Sequence, residues 1–165
     1  MTTRERLDAV YSAMVEYNAG EPAAIQHFTK VHAFAAAIGR AEGLDAKTLE
    51  TLEAAAYVHD IGIKPAMEKY GSGAGPYQEE LGPEPARKLL AGCGYEEDII
   101  ERVAYLVGHH HTYDIIDGPD YQILVEADFL VNLHEGNSSL EAIQSTYENI
   151  FKTEKGRWLC KTMFG

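Results

Sequence analysis

Apolar residues recur every three or four positions along most of this chain, which is the spacing of one face of an α-helix. Val31, Phe34, Ala35 and Ile38 follow His27 on one such stripe, and Leu49, Leu52 and Ala56 run into His59 on another. Ile99, Val103 and Leu106 lead to His110, and Leu124, Ala127 and Val131 share a face with Asp128. No alternating strand pattern persists, so the expected class is all-α. A first helix is predicted from about Thr3 to Tyr17. Glu21-Pro22 opens a second with proline at its first position, and that helix ends near Gly43, which suits a left-handed terminator. Asp45 is the expected N-cap of a third helix carrying His59-Asp60 at its end.

Farther along, Gly71-Ser72-Gly73-Ala74-Gly75-Pro76 reads as a break. It is not a phosphate loop, because it follows no strand and lacks the closing Gly-Lys-Ser/Thr. Helices are expected again over Gly82–Ala91 and Tyr95–His109, and Asp117-Gly118-Pro119-Asp120 reads as a turn before the helix that bears Asp128. Ser138 with Glu141 suggests a capping box, and a last short helix is placed after Lys155-Gly156. The whole chain, 1–165, reads as one domain, with its motif-bearing core at about 23–135 and C-terminal helices over 138–163.

The stripes contain a conflict of polarity. A carboxylate on a core-facing stripe is costly to leave ionised unless something pairs with it. Asp128 is in that position, and so are His27, His59-Asp60 and the run His109-His110-His111. One such histidine is usually a satisfied core residue. Several groups with the same conflict point instead to a shared cation, held by His27, His59, Asp60 and Asp128.

Composition narrows the partners. Fourteen Lys and Arg against 26 Asp and Glu give a formal charge of -12, which argues against binding a nucleic-acid polymer. No apolar run approaches the roughly 20 residues needed to span a bilayer. The opening Met-Thr-Thr-Arg-Glu-Arg lacks the apolar centre of a secretory signal, and Cys93 and Cys160 make no disulfide framework, so a cytoplasmic setting is expected. A homo-oligomer is compatible with the sequence.

His27, His59-Asp60 and Asp128, in this order on a helical background, resemble the HD superfamily of metal-dependent phosphohydrolases. His27-Phe28-Thr29-Lys30-Val31 is similar to its opening His-x-x-Arg-Val, with lysine in the arginine place. Tyr57-Val58-His59-Asp60-Ile61-Gly62 is similar to its His-Asp-Ile-Gly, and Leu124 to Leu130 to its closing apolar-x-x-Ala-Asp-x-Leu. The resemblance implies a compact helical bundle of the HD-domain type. Two departures stand out. Gln78-Glu79-Glu80-Leu81-Gly82-Pro83 occupies the stretch where many binuclear members carry a further histidine, and no Gly-Tyr-Pro follows His109-His110. Hydrolysis of cyclic dinucleotides is therefore not expected.

These readings predict one divalent transition ion, Mn, Fe, Co, Ni or Zn, on two imidazoles and two carboxylates. Such an ion lowers the pKa of bound water and offsets charge on a phosphoryl oxygen. The expected function is hydrolysis of a small phosphate ester, a nucleotide among the candidates, with a non-catalytic metal- or nucleotide-binding regulatory domain as the alternative. Asp60 counts with the catalytic groups, since it is also placed to bridge two ions. His109 and His110 are either proton donors to the reaction or, with Glu79, ligands of a second ion. His111 is expected outside the ligand set. Lys64 is a candidate contact for substrate phosphate, with a solvated lysine at a helix start as the alternative, and His32 and His134 read as structural or surface residues. Tyr70, Tyr77, Tyr113 and Tyr121 are candidate stacking partners for a base.

Overall fold

The computed structural model describes residues 1–165 and contains ten helices and no strand. They are α1 (Thr3–Tyr17), α2 (Pro22–Ala41), α3 (Ala46–Val58), α4 (Ile63–Tyr70), α5 (Gly75–Leu81), α6 (Pro83–Gly92), α7 (Glu97–Val107), α8 (Pro119–Glu135), α9 (Leu140–Asn149) and α10 (Glu154–Phe164). The all-α expectation therefore holds. None of these helices is long and apolar enough to cross a membrane.

Local signals set most of the boundaries. The Thr2 side chain and Glu5 form a reciprocal capping box at the start of α1. Pro22 starts α2, and Gly43, at φ +75°, supplies the left-handed turn beyond its end. The Asp45 carboxylate accepts the Thr48 amide and so caps α3.

Elsewhere the structure corrects the sequence reading. The glycine-rich break is short, because Gly75-Pro76 begins α5, where proline's fixed φ and missing donor suit a helix start. The chain from Ile63 to Tyr70 is helical as well, and it ends at Gly71 with φ +67°. Ser139, not Ser138, caps α9 by accepting the Ala142 amide. Thr153 caps α10, so Lys155-Gly156 lies inside that helix rather than before it. The histidine run falls outside α7, in the turn that follows Val107.

α3 is the centre of the bundle, packed against α1, α2, α7 and α8. α8 is buried on nearly every side, including Ile123, Leu124, Val125, Ala127, Leu130 and Val131, as a helix through the middle of a core must be. α10 closes over α8 and reaches α2. These packings converge on the C-terminal end of α3, where His59 and Asp60 leave the helix. Two glycines let the next stretch come close: a Cβ on Gly62 would lie 2.4 Å from the Gln78 carbonyl, and one on Gly82 would lie 2.6 Å from Val107. The turn after Asp60 is thereby pressed against the junction of α5 and α6.

The histidine turn is fastened from the other side. Arg102 grips the carboxylates of Asp117 and Asp120, each at 2.8 Å. The buried Tyr121 hydroxyl donates to the carbonyls of His109 and Thr112. Tyr121 is consequently a strut of the fold and not a stacking platform. Tyr70 and Tyr77 stack on each other, with ring centroids 4.3 Å apart.

Candidate metal centre

Four side chains meet where α2, the end of α3 and α8 pack together. His27 Nε2 lies 3.1 Å from His59 Nε2, 3.1 Å from Asp60 Oδ2 and 3.3 Å from Asp128 Oδ1. His59 Nε2 lies 3.2 Å from Asp128 Oδ1 and 3.4 Å from Asp60 Oδ2. The structure thus brings together all four residues named as ligands from the sequence.

Each imidazole is aimed by a hydrogen bond on its far nitrogen. His59 Nδ1 is 2.7 Å from the Ala56 carbonyl, which can only accept, so Nδ1 carries the hydrogen. His27 Nδ1 donates to Glu135 Oε1 at 2.8 Å, and Lys30 holds the other Glu135 oxygen at 2.7 Å. Neutral rings in these tautomers point their Nε2 lone pairs at each other across 3.1 Å. Two lone pairs that close repel unless a positive charge lies between them. Asp128 Oδ1, buried beside them, makes no hydrogen bond. An unsatisfied buried acceptor costs about 1–3 kcal/mol, and more when charged.

A divalent ion fits this arrangement. Bonds of about 2.0–2.2 Å from metal to nitrogen or oxygen place neighbouring ligand atoms roughly 3.0–3.5 Å apart, the range found here. The ion would take both Nε2 lone pairs and give Asp128 Oδ1 its missing partner. Carboxylate–histidine pairs such as Glu135–His27 are the usual outer support of such ligands.

Proton affinities express the same demand. Burial pushes the His27 and His59 imidazoles down, but the Asp60 and Asp128 carboxylates outweigh it. His27 is raised to about 9 and His59 well above the usual 6.5. Burial in turn pushes Asp60 and Asp128 up, yet the imidazoles hold both far below the ordinary carboxylate range. Two buried carboxylates require compensating charge, supplied by protons or by a cation.

A second cluster shares Asp60. His110 Nδ1 donates to the Val107 carbonyl at 2.9 Å, and its Nε2 lies 3.0 Å from Asp60 Oδ1. His111 Nε2 is 3.8 Å from the same oxygen and 3.1 Å from Gln78 Oε1. Burial and neighbouring His110 hold the His111 imidazole below its usual range.

His109 does not join either cluster. It stacks on Tyr105 at 4.0 Å and gives Nδ1 to the Tyr105 carbonyl at 2.7 Å. The expected pair His109 and His110 is therefore corrected to His110 and His111. Side chains splay in the turn after α7, and Tyr105, four residues back, captures the first of the three. Glu79 is also engaged elsewhere, accepting the His111 amide at 3.2 Å and the Thr112 hydroxyl. His32 pairs with Glu53 at 3.0 Å and stacks on Tyr57, while His134 is exposed, so both lie outside the clusters.

The sequence reading passed over Glu135, placed His111 outside the ligand set, and noted Gln78 only as part of a stretch without histidine. Only Glu135 left a usable signal, since it lies seven residues past Asp128 on the same helical face. A cleft of about 480 Å³ opens onto Asp60 and is lined by Phe28, Ile63, Met67, Lys64, Glu21 and Glu68, among others. Lys64 Nζ donates to the Tyr17 carbonyl at 3.1 Å from the rim of this cleft. A larger groove of about 630 Å³ between α9 and α10 includes none of the clustered residues.

The family profile of the HD domain matches residues 24–150, and the chain belongs to that family. A crystal structure of a predicted HD superfamily hydrolase from an uncultured Thermotogales bacterium superposes with a TM-score of 0.63 at 27% identity. The likeness covers 96% of this chain and 83% of that one. No match was found among curated proteins.

Proposed function

We propose that the protein is a metal-dependent phosphohydrolase acting on a small phosphate monoester, with His27, His59, Asp60 and Asp128 as metal ligands. The observation that carries this reading is the convergence of the His27 and His59 Nε2 atoms, 3.1 Å apart, on an Asp128 Oδ1 that makes no hydrogen bond, beside Asp60, onto which a cleft opens. A divalent ion there would supply a nucleophile at neutral pH and withdraw charge from a phosphoryl oxygen. Membership of the HD domain family and the likeness to a predicted hydrolase support the same chemistry.

The chain's own residues divide the remaining work. Asp60 gives Oδ2 to the metal cage and Oδ1 to His110, so it ties the cation to the proton donor. Because His110 Nδ1 is committed to the Val107 carbonyl, its contact with Asp60 Oδ1 is a hydrogen bond only when Nε2 is also protonated. That proton is available to a departing alkoxide. Lys64, on the rim, offers its ammonium to a phosphate oxygen. Phe28, Ile63 and Met67 give the cleft an apolar wall, while Glu21 and Glu68 give it an acidic edge. This edge accepts donors such as hydroxyl or amino groups of the leaving group. It repels additional phosphates, so monoesters are favoured over di- and triphosphates.

The test is phosphate release from matched series of nucleoside mono-, di- and triphosphates and simple alkyl phosphates, with Mn²⁺, Co²⁺ or Zn²⁺ supplied. Turnover confined to monophosphates is the expected result. No release from any ester with any of these metals would refute the hydrolase reading and favour the regulatory alternative.

A further inference from the structure

One wall of the cleft over Asp60 is built by the end of α1 and takes no part in the metal centre. Asn18, the residue that ends α1, lines this wall at only 5% exposure. Its Nδ2 donates to the Met14 carbonyl at 2.9 Å. A carbonyl only accepts, so the amide nitrogen is fixed there and Oδ1 is the atom left for the cleft. No donor of the protein reaches that oxygen. Glu21 and Glu68 line the same space, and neither carboxylate is in an ion pair. Lys64, one turn before Glu68, is drawn aside instead: its Nζ donates to the Tyr17 carbonyl at 3.1 Å and lies 5.2 Å from the centre of the Tyr17 ring. Burial foremost, and then the charges of Glu68 and Glu21, hold the Tyr17 phenol above its ordinary value, so both carboxylates act around the end of α1.

Three acceptors therefore share one cleft without a donor of their own, and two of them are charged. The carbonyl end of α1 adds the negative pole of its dipole. A hydroxyl group would bring one hydrogen and no charge to this wall, whereas a primary ammonium brings three N–H groups and a positive charge. The rest of the lining is largely apolar, with Phe28, Ile63 and Met67, and suits the carbon spacer of a small ligand. Entry makes the same demand. A phosphate dianion approaching this acidic rim is repelled, and an ammonium on the same molecule offsets the repulsion.

We propose that the cleft selects phosphate monoesters of amino alcohols, holding a primary ammonium at Asn18 Oδ1, Glu21 and Glu68 while the phosphate reaches the metal centre. The proposal rests on the phosphohydrolase reading above and adds to it the class of alcohol. The reaction consumes one water, whose oxygen bonds to phosphorus as the ester P–O bond breaks, and a proton passes to the departing oxygen. Inorganic phosphate and the free amino alcohol are the products.

The experiment compares matched esters on the full chain supplied with Mn²⁺: 2-aminoethyl, 3-aminopropyl and 4-aminobutyl phosphates, each against the alkyl and hydroxyalkyl phosphates of equal length. At the spacer length that fits best, kcat/KM for the amine should exceed both counterparts on the order of 10-fold. In the double variant Glu21→Gln/Glu68→Gln, which alters only exposed side chains, that ratio should fall close to one. Equal kcat/KM for amine and hydroxyl at every length, or a preference that survives the double variant, would overturn the proposal and leave the hydrolase reading standing. Isothermal titration of the same esters separates the two readings from the other side. Tighter binding of the amines to the wild type than to the double variant, without turnover of any ester, would support the ammonium site and count against hydrolysis. Neither turnover nor binding of any amine would overturn both.

Discussion

Glu126 and Asp128 stand two residues apart on α8, both buried, and the molecule treats them in opposite ways. Glu126 accepts from Gln122 at 2.6 Å, from the Lys152 and Thr153 amides at 3.0 and 3.1 Å, and from the Thr153 hydroxyl at 2.6 Å. Those donors fasten the turn between α9 and α10 to the core. The fit is tight enough that a Cβ on Gly156 would lie 1.8 Å from Glu126 Oε1. Asp128 Oδ1 has no hydrogen bond and faces two ring nitrogens instead. A buried carboxylate surrounded by N–H and O–H donors is complete and serves the fold. One that faces only imidazole nitrogens is incomplete until those rings take up protons or a cation binds between them. Burial alone does not separate structure from function, but the identity of the partners does.

The sharpest break in this comparison is expected from Asp128→Asn. Metal content should fall close to zero by elemental analysis, and kcat/KM on a turned-over phosphomonoester should drop on the order of 10³-fold. The helical circular dichroism should persist. Glu126→Ala should do the opposite, retaining the metal while losing about 3–5 kcal/mol of stability. Thermal melting should register that as a fall of roughly 10 °C. If Glu126→Ala also loses the metal, the two carboxylates are not independent and the contrast fails.

A smaller effect should follow at the outer support. Glu135→Gln keeps an acceptor near His27 Nδ1 but removes the charge that Lys30 and His27 share. Metal affinity should weaken about 10- to 100-fold, with the melting temperature of the metal-free chain nearly unchanged. Isothermal titration with Zn²⁺ measures the first quantity and calorimetric melting the second.

The mildest test is pH. His27 sits near 9 in the folded metal-free chain against a usual 6.5, so its stabilising contribution is complete below pH 6.5 and is lost as pH rises through 9. Depressed Asp60 and Asp128 act in the other direction, contributing above their usual 3.8 and losing that contribution on acidification. Melting of chelator-treated protein should therefore decline between about pH 6 and about pH 9.5. Saturating metal displaces the protons and should flatten that decline, and an equal slope with and without metal would contradict it.

Much of this arrangement was legible in the sequence. The apolar period located α1, α2, α3 and α8, because long amphipathic or fully buried helices repeat their pattern over several turns. The same stripes exposed His27, His59, Asp60 and Asp128 as polar residues out of place. What escaped was set by short-range geometry. The glycine content of Gly71–Pro76 hid the start of α5, since Pro76 both ends a loop and begins a helix. Choosing between His109 and His111 requires knowing that Tyr105 captures one ring and Gln78 the other, which no spacing rule encodes. Gln78 stood out in the sequence only as part of a stretch without histidine, and its contacts with the Gly73 carbonyl and the His111 ring were not readable there.

Anomalous diffraction at the absorption edge of a loaded Mn²⁺ or Zn²⁺ ion tests the central claim most directly. The account predicts one strong peak about 2.0–2.3 Å from His27 Nε2, His59 Nε2, an Asp60 oxygen and Asp128 Oδ1. A map with no peak among these four atoms, in crystals soaked with either ion, would contradict it.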